Sequence, residues 1–95
     1  MSDQEKLYAV QHYLQSEFPG SQVEMKYEPR ERIHVFHVRH EGKSHRAIVV
    51  EAFLSFCDAE QIPATLEEFT LAEHLREMGA TAVVVTSEGL KLEGD

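Results

Sequence analysis

The clearest pattern in the chain is a pair of β-rich stretches near its middle. Residues 33–40 and 43–50 are rich in β-branched and aromatic side chains, and Glu41 and Gly42 separate them. Gly42 can adopt a positive φ, which a two-residue hairpin loop requires, although Glu41 is a poorer choice for the first loop position than Asn or Asp. The pattern therefore predicts two antiparallel strands joined by a tight turn.

This hairpin pairing also predicts which side chains share a face of the sheet. If Glu41-Gly42 is the loop, His40 faces Lys43, and side chains alternate between faces along each strand. One face then carries Ile33, Val35, His37, Arg39, Ser44, Arg46, Ile48 and Val50. The other carries His34, Phe36, Val38, His40, Lys43, His45, Ala47 and Val49. A slip of one residue would exchange the two sets.

The residues before the hairpin predict one helix and one strand. Leu7, Val10 and Leu14 recur at helical spacing, after a possible capping box formed by Ser2-Asp3-Gln4-Glu5. Pro19-Gly20 ends this helix. Residues 22–28 alternate strictly and predict a strand with one solvent-exposed face and one apolar face of Val23, Met25 and Tyr27.

The residues after the hairpin predict two helices and two strands. Residues 51–60 show helical spacing, and Ile62-Pro63 ends that helix. Thr65-Leu66-Glu67-Glu68 is a second capping box, which predicts that a further helix begins there and continues to Gly79. Residues 81–86 are apolar without alternation, which predicts a strand buried on both faces. Glu88-Gly89 predicts a turn into a short edge strand at residues 90–92.

These elements predict an α+β fold for residues 1–95 as a single compact domain. The order is α-β-β-β-α-α-β-β, with a mainly antiparallel five-stranded sheet and helices on one face. The helical connection of about 30 residues between the third and fourth strands predicts a parallel pairing there. A chain of 95 residues supports one hydrophobic core.

The charge of the chain is unevenly distributed. The total is −8, made up of −3 for residues 1–28, +3 for residues 29–50 and −8 for residues 51–95. An acidic surface disfavours generic binding to nucleic acids and anionic membranes, so only the central hairpin would attract an anionic partner.

The sequence has no apolar run long enough to span a membrane and no signal-like start, which predicts a cytoplasmic protein. The single Cys57 is consistent with a reducing compartment, and we predict that it is a small buried side chain.

The candidate ligand-binding residues are His37, Arg39 and Arg46, which the predicted pairing places on one face. Arginine is suited to bidentate contacts with carboxylates and phosphates. The alternative is that these cations only neutralise acidic groups of the same chain.

The order helix, three strands, helix is also that of double-stranded RNA-binding domains. Those modules need a basic start to the last helix, and residues 51–58 are acidic and apolar here.

Metal and catalytic sites have weaker support. The histidines match no strong ligand spacing, so we predict no metal site, and His40 with His45 is the closest predicted pair. A nuclease-like, metal-dependent hydrolase would use Glu24, Lys26 and Glu28, with Glu17 as the preceding acid. The chain has no phosphate-binding glycine loop, no nucleophile elbow and no paired cysteines.

The sequence therefore favours a non-enzymatic binding or interaction module that acts through the face of the hairpin at residues 32–50. We predict no catalytic residues and no cofactor. The expected partner is a second copy of the chain or another protein. An anionic ligand at the Arg/His patch is the first alternative, and a metal-dependent hydrolase is the second.

Overall fold

The computed structural model describes residues 4–79 and 81–92, and these residues form four helices and five strands. The elements in chain order are α1 (Gln4–Glu17), β1 (Gln22–Glu28), β2 (Ile33–His40), β3 (Lys43–Val50), α2 (Glu51–Phe56), α3 (Ile62–Glu68), α4 (Leu71–Met78), β4 (Val83–Thr86) and β5 (Gly89–Leu92). The α+β fold and the order of its elements are confirmed. No helix among the described residues has the length and apolarity needed to cross a bilayer.

The five strands form one sheet in the order β1-β2-β3-β4-β5. The pairing of β3 with β4 is parallel and the other three pairings are antiparallel, so the sheet is mixed. The predicted register of the central hairpin is confirmed, with His40 opposite Lys43 and Ile33 opposite Val50. The predicted parallel crossover between the third and fourth strands is confirmed as well, because α2, α3 and α4 connect β3 to β4.

The hydrophobic core lies between the helices and one face of the sheet. Every sheet residue of the core comes from the same side of its strand; these residues are Phe36, Val38, Ala47, Val49, Val83 and Val85. They pack against buried side chains of all four helices, including Leu14, Phe53, Leu66 and Leu75. Burial of one such large apolar side chain contributes about 1.5–3 kcal/mol. The described helices therefore cover one face of the sheet and leave the other face without a helical layer.

The helical connection differs from the prediction at three points. The helix α2 ends at Phe56, and Ile62-Pro63 begins α3 instead of ending a helix. Pro63 suits that position because the first turn of a helix needs no N–H donor there. The predicted capping box at Thr65 is wrong, because the Thr65 hydroxyl donates to the carbonyl oxygen of Gln61 at 2.8 Å within the helix.

The third difference is that the predicted helix ending at Gly79 is two helices. Thr70 adopts a left-handed conformation, with φ of 55°, and separates α3 from α4. A β-branched residue in this conformation is an outlier that local propensity does not predict. After this break, Leu71 and Leu75 of α4 are buried in the core.

The outer strands also differ from the prediction. The prediction of a fourth strand buried on both faces is wrong, because Val83 and Val85 are buried while Val84 and Thr86 are partly exposed. Gly89 pairs with Thr86, so the turn is formed by the two residues before Gly89. The predicted apolar face of β1 is also largely exposed, with Met25 at 45% and Tyr27 at 43%. The predicted capping residue Ser2 lies outside the described residues.

Candidate functional site

The face of the sheet opposite the helices carries a central apolar stripe. Its members are Val35, Ile48 and Val84; at the end of the hairpin remote from the turn, Ile33 is buried and Val50 packs against the core. The register places Val35, Ile48 and Val84 side by side across β2, β3 and β4. These three side chains are partly exposed, whereas their neighbours on the same strands, such as Phe36 and Val49, are fully buried. We call this surface the open face, because no described helix covers it.

The three residues predicted to bind a ligand lie at one end of the open face. His37 and Arg46 are direct cross-strand partners, and Arg39 is paired with Ser44 in the next row. Two residues along a strand separate side chains by about 7 Å. Arg39 is exposed, while His37 and Arg46 are partly exposed. The fold therefore brings together His37, Arg39 and Arg46, which we call the cation patch.

The arginines of the cation patch are not neutralised by ion pairs with the described carboxylates. The ion pairs within residues 4–79 and 81–92 join Lys26 to Glu28 at 3.5 Å and Arg76 to Glu17 at 3.9 Å. The acid closest to the patch by register is Glu24, which lies opposite His37 on β1. The interpretation that the arginines serve only as internal counter-charges therefore has no support among the described groups.

The opposite side of the hairpin, next to its turn, holds a second polar cluster. A cleft of about 250 Å³ there is lined by Phe18, His40, Glu41, Lys43, His45 and Arg76. The ring of Phe18 lies 5.6 Å from that of His40 and 5.3 Å from that of His45, and the Arg76 guanidinium carbon is 4.9 Å from its centre. Sequence reasoning missed this cluster, because its members come from the residue after α1, the hairpin and α4, which are far apart in the chain.

Two side chains of this cluster also satisfy the ends of helices. His45 is 3% exposed, and its Nδ1 lies 3.1 Å from the carbonyl oxygen of Gly79, which ends α4. The carbonyl can only accept, so this Nδ1 carries the proton. Arg76 donates to the carbonyl oxygen of Glu17 at 2.7 Å, at the end of α1. Cationic and donor groups at helix C-termini are stabilising, so the cluster has a structural role.

The residues considered for metal-dependent hydrolysis do not converge. Lys26 and Glu28 pair with each other on β1, with side chains 77% and 42% exposed. Glu24 lies on the open face, whereas Glu17 reaches Arg76 on the helical side of the sheet. Within the described residues, no three His, Cys, Asp or Glu side chains are arranged to hold a metal ion.

Cys57 is buried, with its Sγ 3.8 Å from Oγ1 of Thr65. The predicted burial of this cysteine is confirmed. Cys57 is the first residue after α2 and belongs to the hydrophobic core, so packing explains its position.

Comparisons with family models, with curated proteins and with solved structures found nothing that matches this chain. The contacts and charges of the described residues are therefore the basis for a functional proposal.

Proposed function

We propose that this protein is a non-enzymatic protein-binding module, and that it binds its partner on the open face. The partner is a protein segment that presents apolar side chains together with carboxylates. The observation that carries this proposal is the position of unneutralised arginines directly beside an apolar stripe.

The apolar stripe supplies the affinity in this proposal. Val35, Ile48 and Val84 lie in one row at the middle of the sheet and keep part of their surface in water. A contiguous apolar patch bordered by polar residues is typical of an interaction surface. Covering such a patch is favourable in proportion to the apolar area removed from water.

The cation patch supplies the specificity. An incoming carboxylate can bind Arg39 or Arg46 through two parallel hydrogen bonds, and such charge-assisted bonds are stronger than neutral ones. A nucleic acid would meet the same cations but also a chain with a net charge of −8, which repels a polyanion. An acidic segment with apolar side chains matches both parts of the surface. We place the module in the cytoplasm, since its one cysteine needs no oxidising compartment.

Synthetic peptides test this proposal. Three fluorescent peptides of equal length are compared by polarisation: alternating glutamate and leucine, alternating lysine and leucine, and alternating glutamate and serine. We expect binding only by the first peptide, weakening as salt is raised. Equal binding by the lysine peptide, or no binding by any peptide at protein concentrations near about 1 mM, contradicts the proposal.

Variants then locate the binding surface. Arg39→Glu combined with Arg46→Glu should reduce peptide affinity at least tenfold. The matched control is Lys43→Glu, which reverses an exposed cation on the opposite face of the same hairpin. If the control reduces binding as much as the double variant, the effect comes from net charge and the cation patch is not the site.

A small anion at the cation patch is the second candidate function. The support is again that neither arginine pairs with a described carboxylate. Inorganic phosphate and a short single-stranded oligonucleotide serve as probes in the same assay. Phosphate binding that Arg46→Glu removes, without any peptide binding, would favour this candidate over the first.

A further inference from the structure

The outer strand β1 is open for pairing along its free edge. It pairs with β2 over seven residues and is the first strand in the sheet order, so none of the described residues forms a strand along its other edge. Long, regular edge strands tend to pair with another chain, and proteins usually block them with a proline, a bulge, a short length or charged side chains. The sequence Gln22–Glu28 contains no proline, and its register with β2 continues without interruption.

Two large apolar side chains of β1 are exposed in the single chain. Met25 is 45% exposed and Tyr27 is 43% exposed, and both lie on the side of the sheet that carries the helices. The hydroxyl of Tyr27 is held by Glu51 Oε1 at 2.8 Å, which fixes the ring beside the edge. An additional strand next to β1 would cover part of both side chains.

The charges of β1 are complementary to those of a second, antiparallel copy of β1. A two-fold axis perpendicular to the sheet makes two copies of β1 antiparallel and keeps each residue on its own face. If the axis passes at Met25, Glu24 lies opposite Lys26 of the second copy, and Lys26 lies opposite Glu24 of the second copy. On the other face, Val23 meets Tyr27 of the second copy and the two Met25 side chains meet each other.

The neighbouring symmetric registers are disfavoured by charge. An axis at Lys26 places two lysines opposite each other and brings Glu24 to Glu28 of the second copy. An axis at Glu24 places two glutamates opposite each other. Like charges directly opposite each other destabilise a strand pair, and opposite charges stabilise it. Of these three registers, the charges of the edge therefore favour the one centred on Met25.

We infer that the protein forms a symmetric homodimer in which the two β1 strands pair antiparallel about Met25 and join the sheets into one. This inference does not depend on the proposed function of the open face. The perpendicular two-fold axis would leave both open faces on the same side of the joined sheet. The dimer would then present two cation patches to one partner, and binding both patches would increase the avidity for a bivalent partner.

Charge reversal and charge exchange at the edge test this inference by sedimentation velocity. We expect the natural chain to form dimers in a concentration-dependent way. Glu24→Lys or Lys26→Glu alone should weaken dimerisation at least tenfold, since each places like charges opposite each other. The combined Glu24→Lys and Lys26→Glu variant restores opposite charges and should recover the dimer. Circular dichroism checks that each variant is folded.

Two further variants separate this dimer from other arrangements. Lys91→Glu reverses a cation on the other outer strand and should leave dimerisation unchanged. Met25→Asp places two carboxylates at the axis and should give a monomer that still binds the glutamate–leucine peptide, because Met25 does not lie on the open face. A natural chain that remains monomeric at about 0.5 mM overturns the inference. So does a dimer that the charge exchange fails to restore, or one that only variants of the apolar stripe dissociate.

Discussion

The two faces of the β2–β3 hairpin are built from alternate residues of the same strands, yet they differ in almost every physical property. On the helical face, Phe36, Val38, Ala47 and Val49 have no exposed surface. On the open face, Val35 and Ile48 keep part of their surface in water beside the cation patch. Valine therefore stabilises the fold on one side and remains available for contact on the other. Alternation alone separates the two roles.

The largest expected difference between the two faces is in their contribution to stability. Phe36→Ala removes a fully buried ring from the core and should lower the free energy of unfolding by about 3–5 kcal/mol. Val35→Ala, one residue earlier and on the open face, should lower it by less than about 1 kcal/mol. Urea denaturation followed by circular dichroism measures both values.

The pair of variants also shows whether the open face is covered in solution. A cost for Val35→Ala close to that of Phe36→Ala would mean that a second layer of protein buries Val35. The comparison should therefore be made at several protein concentrations. If the loss of unfolding free energy caused by Val35→Ala grows with protein concentration, the chain self-associates through the open face. This result would contradict the dimer paired through β1.

A smaller loss is expected at a buried polar contact on the helical side. The hydroxyl of Tyr13 accepts a hydrogen bond from the backbone N–H of Ala72 at 3.3 Å, in the first turn of α4. Tyr13→Phe leaves this buried donor without its partner and should cost about 1–2 kcal/mol. The control is Tyr8→Phe, because Tyr8 is 67% exposed and its hydroxyl can bond to water. Equal effects of the two substitutions in urea denaturation would contradict the role of this bond.

The same tyrosine should make stability depend on alkaline pH. Burial raises the pKa of Tyr13 above its ordinary value of 10.0. The unfolded chain therefore loses this proton at a lower pH than the folded chain, and the free energy of unfolding should fall as the pH rises above about 10. Below that pH both states keep the proton and the contribution is complete. Subtracting the pH profile of Tyr13→Phe from that of the natural chain isolates the effect, and identical slopes would contradict it.

The hairpin and its faces could be predicted from the sequence because the controlling information is local. A glycine with positive φ after Glu41 sets the loop, and the loop sets the register of both strands. The cation patch then follows from alternation, which brings His37, Arg39 and Arg46 to one face without any long-range contact. The parallel crossover could be predicted for a similar reason, since a long helical connection allows it.

The features that could not be predicted depend on contacts between distant residues. The helix break at Thr70 places Leu71 in the core, a tertiary gain that outweighs the local preference of threonine. The exposure of Met25 and Tyr27 depends on how far the helices extend over β1, which the alternation of β1 does not encode. The cleft around Phe18 joins this residue, which directly follows α1, with residues of the hairpin and α4, so no sequence spacing marks it.

The smallest expected effect concerns the turn that assigns side chains to the two faces. Glu41 and Gly42 both have positive φ, at 50° and 77°, as a type I′ hairpin turn requires. Asn tolerates this conformation better than Glu, so Glu41→Asn should raise the free energy of unfolding by about 0.5–1 kcal/mol. Glu88→Asn is the matched control, because Glu88 lies in the other hairpin turn and is not among the residues with positive φ. An equal gain at both positions in urea denaturation would show that removing a negative charge, and not relieving backbone strain, stabilises this acidic chain.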